Sequence, residues 1–158
     1  MHQRPILSSK QRGVALIEVM IAFLVLSVGL IGYSALQVRA IKATQSSMQR
    51  TDASILAGNM LEALRANKSA AMDPTHPYNL ATRTCSPPST DGSLVRNDVN
   101  TWFVSLQSAL GSTATCADIT CSDSTSVAPG VCTINVYWDD SRALAGSGNQ
   151  TIQVVGRL

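Results

Sequence analysis

A single carboxylate, Glu18, interrupts a long apolar run near the start of the chain. It is the only charged residue between Arg12 and Arg39, and the 20 residues from Val19 to Val38 carry no charge. As an α-helix rising about 1.5 Å per residue, that stretch covers about 30 Å, the thickness of a bilayer core. A carboxylate at the bilayer centre costs roughly 2.5–3.5 kcal/mol, and a helix that only anchored a domain would not need one. Glu18 is therefore a candidate functional residue, and its expected partner is a cation.

The residues ahead of the apolar run form a basic leader. Residues 1–13 hold three basic residues and no acidic one, a pattern typical of membrane targeting with the leader in the cytoplasm. The run is too long for a standard secretory signal, and residues 33–37 make a poor small-x-small cleavage site. An uncleaved signal anchor is the simplest alternative, but it leaves Glu18 unexplained.

The residues around Glu18 resemble a known processing motif. Residues 12–20, RGVALIEVM, are similar to the prepilin cleavage motif of type IV pilins and type II secretion pseudopilins. In that family the chain is cut after the glycine, the new N-terminus is methylated, and a glutamate is kept five residues into the mature chain. The resemblance implies cleavage between Gly13 and Val14, N-methylation of Val14, and an assembly role in which Glu18 neutralises an N-terminal amine. Valine stands where the family usually has phenylalanine.

The continuation LVLSVGLIGYSALQ, residues 24–37, is similar more specifically to the PilV family of minor pilins. This resemblance implies a structural subunit that helps prime type IV pilus assembly in a tip complex at the inner membrane, supporting twitching motility and adhesion. The implied partners are other minor pilins, the major pilin, the prepilin peptidase and methyltransferase, and inner-membrane lipid before assembly. Two alternatives stay open: a minor pseudopilin of type II secretion, and a minor pilin for adhesion or DNA uptake.

The charge balance argues against nucleic acid as a partner. The chain has 12 basic and 10 acidic residues, but three of the basic residues lie in the leader. Removing them leaves 9 basic and 10 acidic residues, a net charge of −1 instead of the basic excess that nucleic-acid binding normally requires. The sequence also lacks a nucleophile elbow, a phosphate-binding glycine loop and a paired-histidine motif. No enzyme activity, cofactor or small-molecule substrate is expected.

All four cysteines follow the apolar run, which predicts two disulfides in an exported domain. If residues 115–120 and 131–137 form a hairpin, Cys121 lies almost opposite Cys132, within disulfide reach. Cys85 is then left for Cys116, although the other two pairings stay open. Free thiols and a zinc site are further alternatives, but no histidine lies near the cysteines.

A calcium site at Asp139-Asp140 is a second metal alternative. Adjacent carboxylates at the end of a strand point to different faces, which is more typical of a solvated turn than of a cation site. No bound metal is expected.

The predicted organisation is a cleaved leader (1–13), a membrane-spanning or filament-core half-helix (14–38) and a head domain (39–158). The helix is expected to continue to about residue 67, because apolar residues recur at intervals of seven and four and should pack on the head: Ile41, Met48 and Ile55, then Leu56, Met60 and Leu64. Proline-rich residues 70–97 are expected to form loops.

The rest of the head is predicted to hold one short helix and a small sheet. The helix is expected from Asp98, a possible N-cap, to Leu110, with Gly111 ending it. Residues 131–138 and 151–155 alternate as strands do, and residues 115–120 form a weaker candidate. The prediction is an α+β fold of the type IV pilin kind, a long N-terminal helix packed on a small antiparallel sheet. The expected location is the bacterial inner membrane, single pass with the head in the periplasm, and then the assembled pilus at the cell surface.

Overall fold

A computed structural model describes residues 14–111, 114–144 and 146–158. In chain order its elements are α1 (Val14–Ala66), α2 (Lys68–Ala71), β1 (Leu80–Thr84), α3 (Leu94–Leu110), β2 (Cys116–Cys121), β3 (Val131–Trp138) and β4 (Gln150–Arg157). The residues divide into two compact units, one ending at Ile41 and one running from Lys42 to Leu158. The second unit is called the head below.

The unit that ends at Ile41 consists of an apolar helix, the first part of α1. Its side chains from residue 16 onward are exposed, and the most apolar 18-residue window has a mean hydropathy of 2.3. In the described parts of the chain, α1 is the one helix long and apolar enough to cross a membrane. The hydroxyls of Ser27 and Ser34 donate to the backbone oxygens of Leu24 and Leu30, at 2.8 and 2.9 Å. These polar groups are therefore satisfied inside the helix and need no outside partner.

The head is built on a four-stranded antiparallel sheet in the order β1-β2-β3-β4. Strand β3 alternates strictly between half-exposed and buried side chains, because successive side chains of a strand point to opposite faces. One face of the sheet therefore supplies the core, together with one face of α1 and of α3. The core includes Ala53, Ala57, Met60, Leu61 and Leu64 of α1; Val99, Trp102, Phe103, Leu106 and Leu110 of α3; and Leu80, Ala117, Ile119, Cys121, Cys132, Ile134, Val136 and Trp138 of the sheet.

Two contacts fix α1 in this core. The indole Nε1 of Trp102 donates to the backbone oxygen of Leu56 at 2.9 Å, which joins α3 to α1. On the other side of α1, Gly156 of β4 lies so close to Leu61 that a Cβ atom there would come within 2.2 Å of the leucine Cδ2. A side chain at position 156 would push β4 away from the helix.

The α+β prediction is confirmed: a long apolar N-terminal helix is combined with a small antiparallel sheet. The prediction that residues 70–97 are loops was wrong over β1 (Leu80–Thr84), which pairs with β2 between the two proline-containing stretches. It was also wrong at both ends of the range, where α2 and α3 overlap it. Helix α3 begins at Leu94 and not at Asp98. Its N-cap is Ser93, whose hydroxyl oxygen accepts from the backbone N–H of Arg96 at 3.3 Å. At the other end Gly111 ends the helix as predicted, in the left-handed conformation with φ of 66°.

The two apolar rows predicted to pack as core have different environments. Met60 and Leu64 are buried, but Ile41, Met48 and Ile55 are 65, 63 and 55% exposed. At 3.6 residues per turn, the separation of five positions from Ile55 to Met60 places these two side chains about 140° apart around the helix. The row at intervals of seven is therefore a surface feature of α1, and its assignment to the core was wrong.

Candidate functional site

The predicted processing site lies at the start of α1. Gly13 falls outside the described residues, and Val14, the first described residue, already lies in α1. Glu18 follows four residues later, about 6 Å along the axis, or roughly one turn. A cut between Gly13 and Val14 would thus place a free amine at the end of the helix, one turn from the carboxylate.

Glu18 has no cation of its own within reach in the described part of α1. Its neighbours in the helix are apolar, and the nearest basic residue in this part of the chain is Arg39, 21 residues later. That separation corresponds to about 31 Å of helix. Within residues 14–38, therefore, no side chain can supply a charge that compensates Glu18.

The cysteines of the head form two disulfides, Cys85–Cys116 and Cys121–Cys132, with Sγ–Sγ distances of 2.04 and 2.08 Å. These are the pairs preferred from the sequence. Cys121 lies opposite Cys132 in the register of β2 and β3, as the hairpin argument required. The other bridge joins the loop before α3 to the start of β2, so it closes a segment that contains the whole of α3.

Asp139 and Asp140 point in different directions, as expected for adjacent carboxylates after a strand. Asp139 is exposed and accepts from the backbone N–H of Ser141 at 2.8 Å, which lowers the pKa of its carboxyl group. Asp140 is 5% exposed and accepts from the hydroxyl of Ser46 on α1. In the described segments no group of three or more His, Cys, Asp or Glu side chains is placed to hold a metal ion.

A buried tyrosine joins three elements of the head. The Tyr78 hydroxyl donates to Asp98 of α3 at 2.7 Å and accepts from Asn67, just after α1, at 3.0 Å. Burial, followed by the hydrogen bond to Asp98, raises the Tyr78 pKa to about 12, so the phenol stays protonated at neutral pH. Asp98 thus serves as an acceptor for Tyr78 and not as the helix cap that its position in the sequence suggested.

We expect Tyr78→Phe to lower the free energy of unfolding by about 1–3 kcal/mol, because the change leaves the half-buried Asp98 carboxylate and the Asn67 amide without their shared partner. The ring itself is retained, so no cavity contributes. Urea denaturation of the full chain in detergent, followed by tryptophan fluorescence, measures the change. Asp98→Asn is the matched control, since it keeps an acceptor oxygen, and its cost should stay below about 1 kcal/mol. Equal stability of Tyr78→Phe and the natural chain would contradict this.

The outer face of the sheet carries a second polar cluster that the sequence did not reveal. Asp118 of β2 is 5% exposed and accepts from Asn135 and Tyr137 of β3, at 2.7 and 2.8 Å. The hydrogen bond to Asp118 raises the pKa of the Tyr137 hydroxyl. The Arg83 guanidinium lies over the Tyr137 ring, 4.9 Å from its centre, and Arg83 has a φ of 53° where the β1–β2 register is irregular.

The comparisons with known proteins match both units. A prokaryotic N-terminal methylation motif matches residues 8–34, and the Tt1218-like family, described as type IV pilin Tt1218, matches residues 35–91. The fold is typical of type IV pilins, and the two matched segments are similar to theirs. Searches of curated proteins and of solved structures found no match.

The match to the methylation motif spans Gly13, Val14 and Glu18. A pilin with a prepilin leader is processed by prepilin peptidase and assembles with other pilins. The N-terminal apolar helix supports membrane anchoring and a place in a surface pilus, and the family is a structural one. Neither match distinguishes minor from major pilins or the PilV family from others.

Proposed function

We propose that this pilin is a minor, PilV-like subunit that helps prime type IV pilus assembly in a tip complex at the inner membrane, supporting twitching motility and adhesion. The observation that carries the proposal is the lone carboxylate, Glu18, in the exposed and otherwise apolar stretch of α1 that runs to Val38. The PilV-like residues 24–37 favour a minor pilus subunit over a secretion pseudopilin. The charge balance of the mature chain weighs against a DNA receptor.

In this proposal residues 1–13 are the cleaved leader, residues 14–38 cross the membrane or enter the filament core, and residues 39–158 form the head. Before assembly the protein crosses the inner membrane once with its head in the periplasm, and after assembly it lies in the pilus at the cell surface. Its partners are other minor pilins and the major pilin, after the prepilin peptidase and methyltransferase have acted at Gly13 and Val14.

Deleting the gene is expected to lower surface pili and twitching motility sharply, while the major pilin stays in the membrane. A priming subunit affects how often filaments start, so disabling retraction should restore some pili. Immunoblots of sheared and membrane fractions, with and without retraction, measure both effects. Wild-type piliation together with a loss of protein secretion would move the assignment to the type II pseudopilus.

We expect intact-mass analysis of the protein from its native membrane to show residues 14–158 carrying one additional methyl group. The basic leader, Gly13 and the spacing to Glu18 motivate this expectation. Gly13→Leu is the control, since a bulky residue before the cut should leave the chain unprocessed. A main species with the mass of residues 1–158 in the natural protein would refute the cleavage site.

A further inference from the structure

Strand β4 leaves one edge of the sheet open. One side of β4 pairs with β3. The backbone N–H of Leu158 donates to the oxygen of Gly130 at 2.8 Å, and this hydrogen bond shows which residues of β4 direct their backbone groups towards β3. In an antiparallel pair the backbone groups of alternate residues point away from the partner strand. The residues whose backbone groups point outward are therefore Thr151, Gln153, Val155 and Arg157. The Arg157 oxygen accepts from Arg65, and the structure shows no partner for the backbone groups of the other three among the described residues.

This edge lacks the features that normally block a further strand. Strand β4 is eight residues long, pairs in unbroken register, and has no proline and no charged residue before Arg157. Proteins usually protect exposed edges with short strands, bulges, prolines or charges, because an open edge is a template for another chain. The opposite edge, β1, fits that rule: it has five residues and an irregular register. The outer edge of β4 is thus the available one.

Helix α1 runs beside β4 and leaves room for a further strand. The Arg50 guanidinium donates to the Gln150 side-chain oxygen at 2.9 Å, and the Arg65 guanidinium donates to the backbone oxygen of Arg157 at 3.2 Å. Between these two contacts α1 carries three small residues on one face, Thr51, Ser54 and Gly58. A Cβ atom at Gly58 would meet nothing within 4 Å. A fifth strand would fit beside this face and would cover Ile152 and Val154, which are only half-buried.

Three basic side chains lie at the end of β4 near Arg157. Arg157 is exposed, and the Lys68 ammonium donates to the backbone oxygen of Leu158 at 3.1 Å. Arg65 adds a third cation, although Glu62 pairs with it. A carboxylate on the incoming strand would be favoured at this end, because opposite charges across neighbouring strands stabilise a sheet.

We propose that the outer edge of β4 binds an extended segment of another protein as a fifth strand, with alternating β-branched residues and a carboxylate beside Arg157. Main-chain hydrogen bonds give such a contact its affinity, and alternate side chains give its specificity. A second copy of the pilin fits less well, because residues 146–158 contain no acidic residue to meet these cations. The proposal goes beyond the proposed function, since it concerns the head alone and would hold for any pilin assembly.

The test uses the full chain in detergent micelles and two fluorescein-labelled peptides of alternating threonine and valine, capped at both ends. One peptide carries an aspartate at its N-terminal end and the other at its C-terminal end, which covers both strand directions. Fluorescence anisotropy is expected to show saturable binding of at least one of them. The same peptide with lysine in place of aspartate should bind at least fivefold more weakly, and Arg157→Glu should reverse that preference.

Gln153→Pro is the decisive variant, because it removes an outward N–H and places the proline ring on the open edge without removing a hydrogen bond to β3. It should weaken peptide binding at least tenfold, while Gln153→Ala, which keeps the backbone donor, should stay within about twofold of the natural chain. Circular dichroism checks the fold, and Val155→Pro replaces Gln153→Pro if that variant does not fold.

Three outcomes would overturn the proposal. The first is no saturable binding of either aspartate peptide, and the second is equal binding to Gln153→Pro and Gln153→Ala. The third is a concentration-dependent dimer, seen by analytical ultracentrifugation, that Gln153→Pro abolishes, because it would assign the edge to a second copy. None of these measurements depends on piliation, so failure here is distinct from failure of the proposed minor-pilin role.

Discussion

Glu18→Ala is expected to leave cleavage, membrane insertion and the fold of the head intact, and to remove most of the protein from sheared pili. The side chain lies in the apolar part of α1, which makes none of the head's core contacts. The stability of the head therefore should not depend on it. Assembly should depend on it, because a carboxylate that leaves lipid for a protein interior needs a compensating cation.

The expected size of the assembly defect depends on the distance between the Glu18 carboxylate and the nearest available cation. The nearest basic residue in the described part of the same helix, Arg39, lies about 31 Å away along the axis, too far to help. A methylated N-terminal amine of a neighbouring subunit at 4 Å would interact with Glu18 by about 4 kcal/mol at an effective dielectric constant of 20. Losing that interaction would lower the affinity of the subunit for the filament by up to about three orders of magnitude.

Three further variants separate charge from size. Glu18→Gln keeps the volume and removes the charge, so it should fail in assembly as Glu18→Ala does. Glu18→Asp keeps the charge on a shorter side chain and should retain part of the incorporation. Ser27→Ala is the matched control, because the Ser27 hydroxyl is already bonded to Leu24 within its own helix. The measurement is the ratio of protein in sheared pili to protein in membranes, and a natural ratio for Glu18→Ala would reject the assembly role.

The parts of the fold that the sequence predicted are those whose pattern is local and long. Helix α1 has no proline and a continuous supply of helix-forming residues, so its extent was predicted within a few residues. Strand β3 alternates over eight residues, and its register with β2 followed from the hairpin that joins them. Glu18 was also visible, because its unusual character depends only on the apolar residues next to it in the chain.

The parts that the sequence missed depend on contacts between distant residues. Strand β1 has only five residues. Its extended conformation depends on its pairing with β2 and not on the pattern of its own residues. The start of α3 was misplaced because Ser93 and Asp98 are both good N-caps, and Asp98 is taken instead by Tyr78, 20 residues earlier. The open edge of β4 could not be predicted, because it follows from the strand order and from the position of α1 beside it.

The exposed row on α1 is a clear local pattern whose environment the sequence did not predict. Ile41, Met48 and Ile55 have the spacing of a packed helix face, yet all three are exposed. Periodicity shows that apolar residues share a face of a helix, but it does not say whether that face meets the protein's own core or another molecule. In a subunit that assembles, the same pattern is expected for a face buried in the protein's own core and for a face that another molecule covers. Only the position of the sheet and α3 shows which of the two applies.

Removing the Cys85–Cys116 disulfide is expected to lower the free energy of unfolding of the head by about 4 kcal/mol. The bridge joins residues 31 apart in sequence, and in the chain-entropy model the stabilisation increases with the length of the closed segment. The closed segment contains α3, whose Trp102, Phe103 and Leu106 lie in the core. The Cys121–Cys132 bridge closes a much shorter segment, 11 residues apart in sequence, and the same model gives it about 3 kcal/mol.

The double variant Cys85→Ser, Cys116→Ser should therefore melt roughly 10–20 °C below the natural chain, measured by tryptophan fluorescence of the full protein in detergent. Because Cys85 is exposed, little of this loss comes from altered packing at that end. Arg96 is exposed on α3, inside the segment that the bridge closes. Without the bridge, trypsin should cut at Arg96 well before the rest of the head unfolds. Non-reducing peptide mapping of the natural protein should recover Cys85 linked to Cys116, and either another pairing or an unchanged melting temperature would contradict this account of the head.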